Sequence, residues 1–227
     1  ANRVERGRHT PRTRAVRILG NLFIIGKLLA RSLATVSARR SDAATGGSTG
    51  GATIGLTSFA DATGGLTIRD AGGLATIGAV GSGTAGNVTI TNSQAGVTFS
   101  STVDAGTLSI TDTADNQDIT FGGDVSAVTL TTTANAYDLI FQENVTVTND
   151  VTFAGIRNLD LGGATDDVAT FTGGLDTATN VTGTVTVAGT INTTNTQMDI
   201  GAVTLAAATT LDTGNAAAGI LNVGAVT

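Results

Sequence analysis

From about residue 45 onward the chain is punctuated by triplets in the order apolar, small polar, apolar. Val88-Thr89-Ile90, Leu108-Ser109-Ile110 and Val128-Thr129-Leu130 form one series at a spacing of 20. Val97-Thr98-Phe99, Ile119-Thr120-Phe121 and Leu139-Ile140-Phe141 form a second at spacings of 22 and 20, and Val103, Val125 and Val145 mark a third at the same two intervals. Side chains alternate between the two faces of an extended strand, so the first and third members of each triplet point the same way. The apolar pair faces inward and the Thr or Ser between them faces water, where β-branched Thr suits the extended backbone. Three series that keep step over successive periods predict one coil built from three short strands, repeated along an axis. Phe99, Phe121 and Phe141 are then expected in one interior column, and Ile90, Ile110 and Leu130 in another.

The pattern runs on in both directions. Downstream, Val151-Thr152-Phe153, Leu159-Asp160-Leu161 and Val168 read as the next coil, followed by Val185-Thr186-Val187, Ile191, Met198-Asp199-Ile200, Val203-Thr204-Leu205 and Leu221-Asn222-Val223. Upstream, Thr53-Ile54, Leu66-Thr67-Ile68 and Ala75-Thr76-Ile77 extend it. Turn-forming clusters such as Gly122-Gly123-Asp124 and Gly162-Gly163 separate the strands, because Gly reaches positive φ and Asp or Asn tolerates it. The one proline, Pro11, lies outside the repeats, as expected where every strand donates to a ladder. The predicted fold is therefore all-β: a β-solenoid of roughly 20-residue coils, eight or nine of them by the count of triplets. Residues 43–227 form this body, and residues 1–42 a basic, amphipathic N-terminal segment. The triplets are still running at Leu221–Thr227, so either further coils follow or the ends of two copies meet.

Charge separates the same two segments. Ten of the twelve basic residues fall in the first forty positions, where Glu5 is the only acid, giving +9; Arg69 and Arg157 against seventeen acids leave the remainder at −15. Three readings of the basic segment stay open: a targeting or membrane-proximal leader with small residues Ala34, Ser37 and Ala38 at its end, a helix with Val16, Leu19, Phe23, Ile24, Leu28 and Leu29 on one face, or an arm foreign to the repeats. Its longest uncharged apolar run, Ile18 to Gly26, is too short for a transmembrane helix. A +9 arm meeting a neighbour's acidic body would favour head-to-tail association between copies. The acidic body repels phosphate, which disfavours nucleic acid as a partner.

Composition narrows the chemistry further. Apolar residues make up 41% of the chain, too many for disorder driven by low hydrophobicity. There is no Cys, and the single histidine, His9, sits in the basic segment, so a Ser-His-Asp or Cys-His constellation cannot be assembled within the body. Arg69 and Arg157 are the body's only basic groups, which counts against a polysaccharide lyase. Asp166 with Asp167, or Asp112, Asp115 and Asp118, could supply paired carboxylates or calcium ligands. Neither run has an EF-hand or GGxGxD spacing, and turn acids are the simpler reading. Asn87, Asn144, Asn180 and Asn192 each begin a glycosylation sequon, a pattern that Thr-rich repeats generate by chance. No catalytic, cofactor-binding or metal-binding residue is assigned, and no cofactor is expected.

Repeats in which Gly/Asn/Ala-rich turns separate VTL or VTI strands, as from Val203-Thr204-Leu205 through Gly219, resemble the passenger or stalk regions of bacterial autotransporters and filamentous-haemagglutinin-type adhesins. The resemblance implies a right-handed parallel β-helix, export to the cell surface, and work in adhesion, surface layers or extracellular filaments. The expected function is thus a structural or adhesive solenoid segment that stacks end to end, and not an enzyme. The alternative is a module that binds a host or surface glycan or protein along one face, for which Tyr137 with Gln142 and Glu143 is the candidate cluster.

Overall fold

In the computed structural model the described residues are 34–37, 54–59, 65–69, 73–81 and 86–227, with backbone only for the first two stretches. They contain no helix. Strands numbered along the chain stack into a parallel β-solenoid of about seven turns.

The first ladder holds β2 (Ile54–Phe59), β4 (Ala75–Val80), β6 (Val97–Phe99), β8 (Asp118–Phe121), β10 (Asp138–Phe141), β13 (Asn158–Leu161) and the first parts of β16 (Val185–Asn192) and β18 (Val203–Asp212). The second runs through β1 (Ala34–Ser37), β3 (Leu66–Arg69), β5 (Val88–Ile90) and the later parts of β7 (Val103–Ile110) and β9 (Val125–Thr132). A separate four-stranded sheet takes over beside β9: β12 (Val151–Thr152), β15 (Leu175–Asp176), β17 (Met198–Ile200) and β19 (Leu221–Val223). The third ladder comprises the early parts of β7 and β9, then β11 (Val145–Val147), β14 (Val168–Phe171) and the later parts of β16 and β18. Three strands per coil, all pairing in parallel, is the architecture the triplets predict. At about 4.8 Å per coil, seven turns extend roughly 34 Å.

The core is a set of columns along the axis. Phe99, Phe121 and Phe141 occupy one, with ring centroids 4.9 and 5.0 Å apart and rings inclined by 5° and 9°. Val103, Val125 and Val145 pair in a second, as their spacing predicts. The outward partners Thr98, Thr120, Thr89 and Ser109 are half-exposed, which completes the alternation.

Three features of the register differ from the sequence reading. Leu108 pairs with Leu130 and Ile110 with Thr132, so the interval in this ladder is 22 and Ile110 is followed in its column by buried Thr132, with Leu130 stacked on Leu108. A shift of two residues leaves inward and outward faces unchanged, so alternation alone does not detect it. Val128, placed in a triplet by the sequence, stands at a corner and is 50% exposed. At the next rung Val145 pairs with Ala169, and Val168 turns outward. Finally, coils vary from 26 residues (Leu159 to Val185) to 18 (Val185 to Val203) around the expected period, and the described residues form about seven turns.

Within the basic N-terminal segment, Ala34–Ser37 is strand β1 and pairs with β3. The proposed helical face from Val16 to Leu29 and the sole histidine, His9, lie outside the described residues. Among the described residues no helix is long and apolar enough to cross a membrane.

Candidate functional site

Along the first ladder the outward side chains of neighbouring coils stand side by side. Asp118 pairs with Asp138 and Asp138 with Asn158; two residues further along each strand, Thr120, Ile140, Asp160 and Thr186 form the adjacent outward row. Between β10, β13 and β16 the surface opens into a cleft of about 300 Å³ lined by Asp138, Ile140, Asn158, Asp160, Thr184 and Thr186.

One wall is fixed by a clamp that joins three coils. Arg157 donates from Nε to Asp138 Oδ1 at 2.6 Å and from Nη2 to Oδ2 at 2.5 Å, while its Nη1 donates to Asn116 Oδ1 at 2.6 Å. Asn116 holds a left-handed backbone, φ 63°, which Asn tolerates better than most residues. Asn158 adds two donors to Asp138 Oδ1, its backbone N at 3.2 Å and Nδ2 at 3.0 Å, and accepts from Thr184 N at 2.9 Å. Both oxygens of Asp138 are therefore engaged. Burial pushes this carboxyl up, but the bonds from Arg157 and Asn158 outweigh it, and its pKa lies below the usual carboxylate range. Asp160 goes the other way: burial raises it, Asp138 and Asp118 raise it further, and the Thr186 hydroxyl only partly compensates.

These opposite shifts give opposite pH signatures. The clamp stabilises the fold above the ordinary carboxylate pKa of about 4 and loses that contribution as pH falls through Asp138's depressed value. Asp160 destabilises the fold at neutral pH and ceases to do so once it is protonated. In urea titrations, Asp160→Asn is expected to raise the unfolding midpoint at pH 7 and to leave it unchanged near pH 3. Arg157→Ala should lower the midpoint at pH 7 and flatten the acid limb of the profile.

The groups singled out in the sequence fall elsewhere. Tyr137 is fully buried, its hydroxyl 3.4 Å from the carbonyls of Ile110 and Thr133, and burial raises its pKa above the ordinary phenol value. It packs the core, away from exposed Gln142 and Glu143, so these three do not form one binding surface. Asp167 is 6% exposed and accepts from Gly163 N at 2.6 Å and Ala164 N at 2.7 Å, making the 162–167 stretch a self-capped turn, whereas Asp166 is exposed. Of Asp112, Asp115 and Asp118, only Asp118 stands beside the cleft row. Among the described residues no group of three or more acidic, His or Cys side chains is arranged to hold a metal ion. Two of the sequon amides are tied to neighbouring coils, Asn144 to Asp124 and Asn192 to Thr170. Sequence reasoning missed the clamp, although Asp138 and Arg157 lie 19 residues apart, close to one coil.

The architecture defines a parallel β-solenoid repeat protein. Comparison with protein-family models, curated proteins and solved structures finds no match.

Proposed function

We propose that this chain is a structural and adhesive segment of an extracellular bacterial surface protein or fibre, supplying a stiff rod with a Thr-rich, acidic exterior. The observation that carries the reading is the continuity of stacking: core columns and parallel ladders run from coil to coil, so each coil is stabilised by its neighbours and the stack resists bending. The sequence resemblance to autotransporter passengers and filamentous-haemagglutinin-type adhesins supports the surface location. Leu205, Ile220, Leu221 and Val226 on the last described coil are exposed apolar side chains, a surface that suits the stacking of a further coil.

Negative-stain microscopy of the purified chain tests this directly. Fibres formed by solenoids stacked end to end are the expected images; discrete compact particles at every concentration would overturn the reading. Antibody labelling of intact cells of the source organism tests the location, with surface staining expected.

A further inference from the structure

We propose that the cleft between β10, β13 and β16 is a binding subsite for one uncharged sugar unit, held by Asp160 against the side chain of Ile140. The clamp on Asp138 does more than strengthen the coil stack. With both Asp138 oxygens taken by Arg157 and Asn158, and Asn158 itself spent on Asp138 and Thr184, the cleft keeps one carboxyl whose protein neighbour is a single hydroxyl, that of Thr186. A half-buried carboxyl of this kind accepts hydrogen bonds when ionised, and when protonated it both donates and accepts. Sugar hydroxyls satisfy either state.

The remaining lining suits the same ligand. Ile140 is the one large apolar side chain in an outward row otherwise made of Thr120, Asp160 and Thr186, and it offers a surface to the C–H face of a pyranose ring. Thr184 and Thr186 add neutral hydroxyls at the far rim. A volume of about 300 Å³ lies at the small end of the range for ligand pockets and accommodates a single ring. An acidic sugar is disfavoured, since Asp118, Asp138 and Asp160 outnumber Arg157 around the cleft. Hydrolysis is not part of the proposal: two carboxyls free to act on one bond are required for it, and Asp138 is not free.

The test is a titration of the full chain by saturation-transfer NMR and calorimetry. The probes are neutral trisaccharides of glucose, mannose, galactose and N-acetylglucosamine, with a galacturonate trisaccharide and spermidine as charged comparisons. Saturable binding of at least one neutral probe is expected, weakened at least tenfold by Asp160→Ala and clearly by Ile140→Ser, with no binding of the uronate. Both substitutions are at outward strand positions, and unfolding midpoints of the variants separate lost binding from lost structure. Absence of binding by every neutral probe, unchanged affinity in a folded Asp160→Ala, or salt-sensitive binding of spermidine in place of the sugars would overturn the proposal. None of these results alters the rod reading, which microscopy decides independently.

Discussion

Replacing Phe121 by Ala is expected to destabilise the solenoid by about 3–5 kcal/mol, the range for removing a buried aromatic ring from a core that relaxes only in part. Phe121 is the middle ring of its column, nearly parallel to Phe99 on one side and Phe141 on the other, and all three are buried. Its removal leaves two phenyl faces without a partner, so the loss of stacking, about 0.5–1.5 kcal/mol per aromatic pair, adds to the cavity. Because stability in a repeat stack is close to a sum of coil and interface terms, the damage concentrates at the two interfaces on either side of β8. Urea unfolding followed by circular dichroism should show a lower midpoint and a broadened or two-step transition as the coils on each side of the break separate. Thr120→Ala, one residue away but facing water, is expected to change stability by no more than about 0.5 kcal/mol. Equal effects of the two substitutions would contradict the inward placement of the phenyl column.

That column was legible because every member repeats the same triplet. Val97-Thr98-Phe99, Ile119-Thr120-Phe121 and Leu139-Ile140-Phe141 each put a β-branched or aliphatic residue and a phenyl ring on one face, and the observed pairing follows position by position. The ladder containing Leu108 and Leu130 was harder. Val128-Thr129-Leu130 has the form of a triplet, yet two consecutive residues, Val128 and Thr129, turn outward at the corner between Ala127 and Leu130. A pattern of period two carries no information about where such a corner falls. Val168 misled for a related reason: the turn before it is closed by the buried Asp167 carboxylate, and that local geometry, not hydrophobicity, sets Ala169 inward. The cleft was legible only in part. Leu139-Ile140-Phe141 and Leu159-Asp160-Leu161 read as successive coils, which sets Ile140 beside Asp160, whereas the bonds from Arg157 to Asp138 and the 26-residue step that brings Thr184 and Thr186 to the far side follow from no pattern in the chain.

Gly189→Val is expected to destabilise by about 3 kcal/mol or more, because two penalties act at once. Gly189 has φ +71°, a region that costs a non-glycine residue about 1–3 kcal/mol and a β-branched one most. A Cβ there would also lie 2.2 Å from the Asp167 carbonyl oxygen and 2.9 Å from that of Ala164. Neither oxygen has room to retreat. The Asp167 carbonyl accepts from Thr190 N at 2.9 Å, and the Asp167 side chain is anchored to the Gly163 and Ala164 amides. The strand needs this conformation because β16 passes from the first ladder to the third with only Ala188 between Val187 and Gly189, where the pairing with β18 is irregular. Gly189→Ala meets the same carbonyl and should cost nearly as much, which separates the steric effect from β-branching. If the clash depends on a turn held rigid by Asp167, the double variant Asp167→Ala with Gly189→Ala will be more stable than the sum of the single losses predicts, by about 0.5 kcal/mol or more. Strict additivity would mean that losing the cap gives the two carbonyls no room to retreat, and the rigidity of the turn would then have to reside in its backbone and not in the Asp167 side chain.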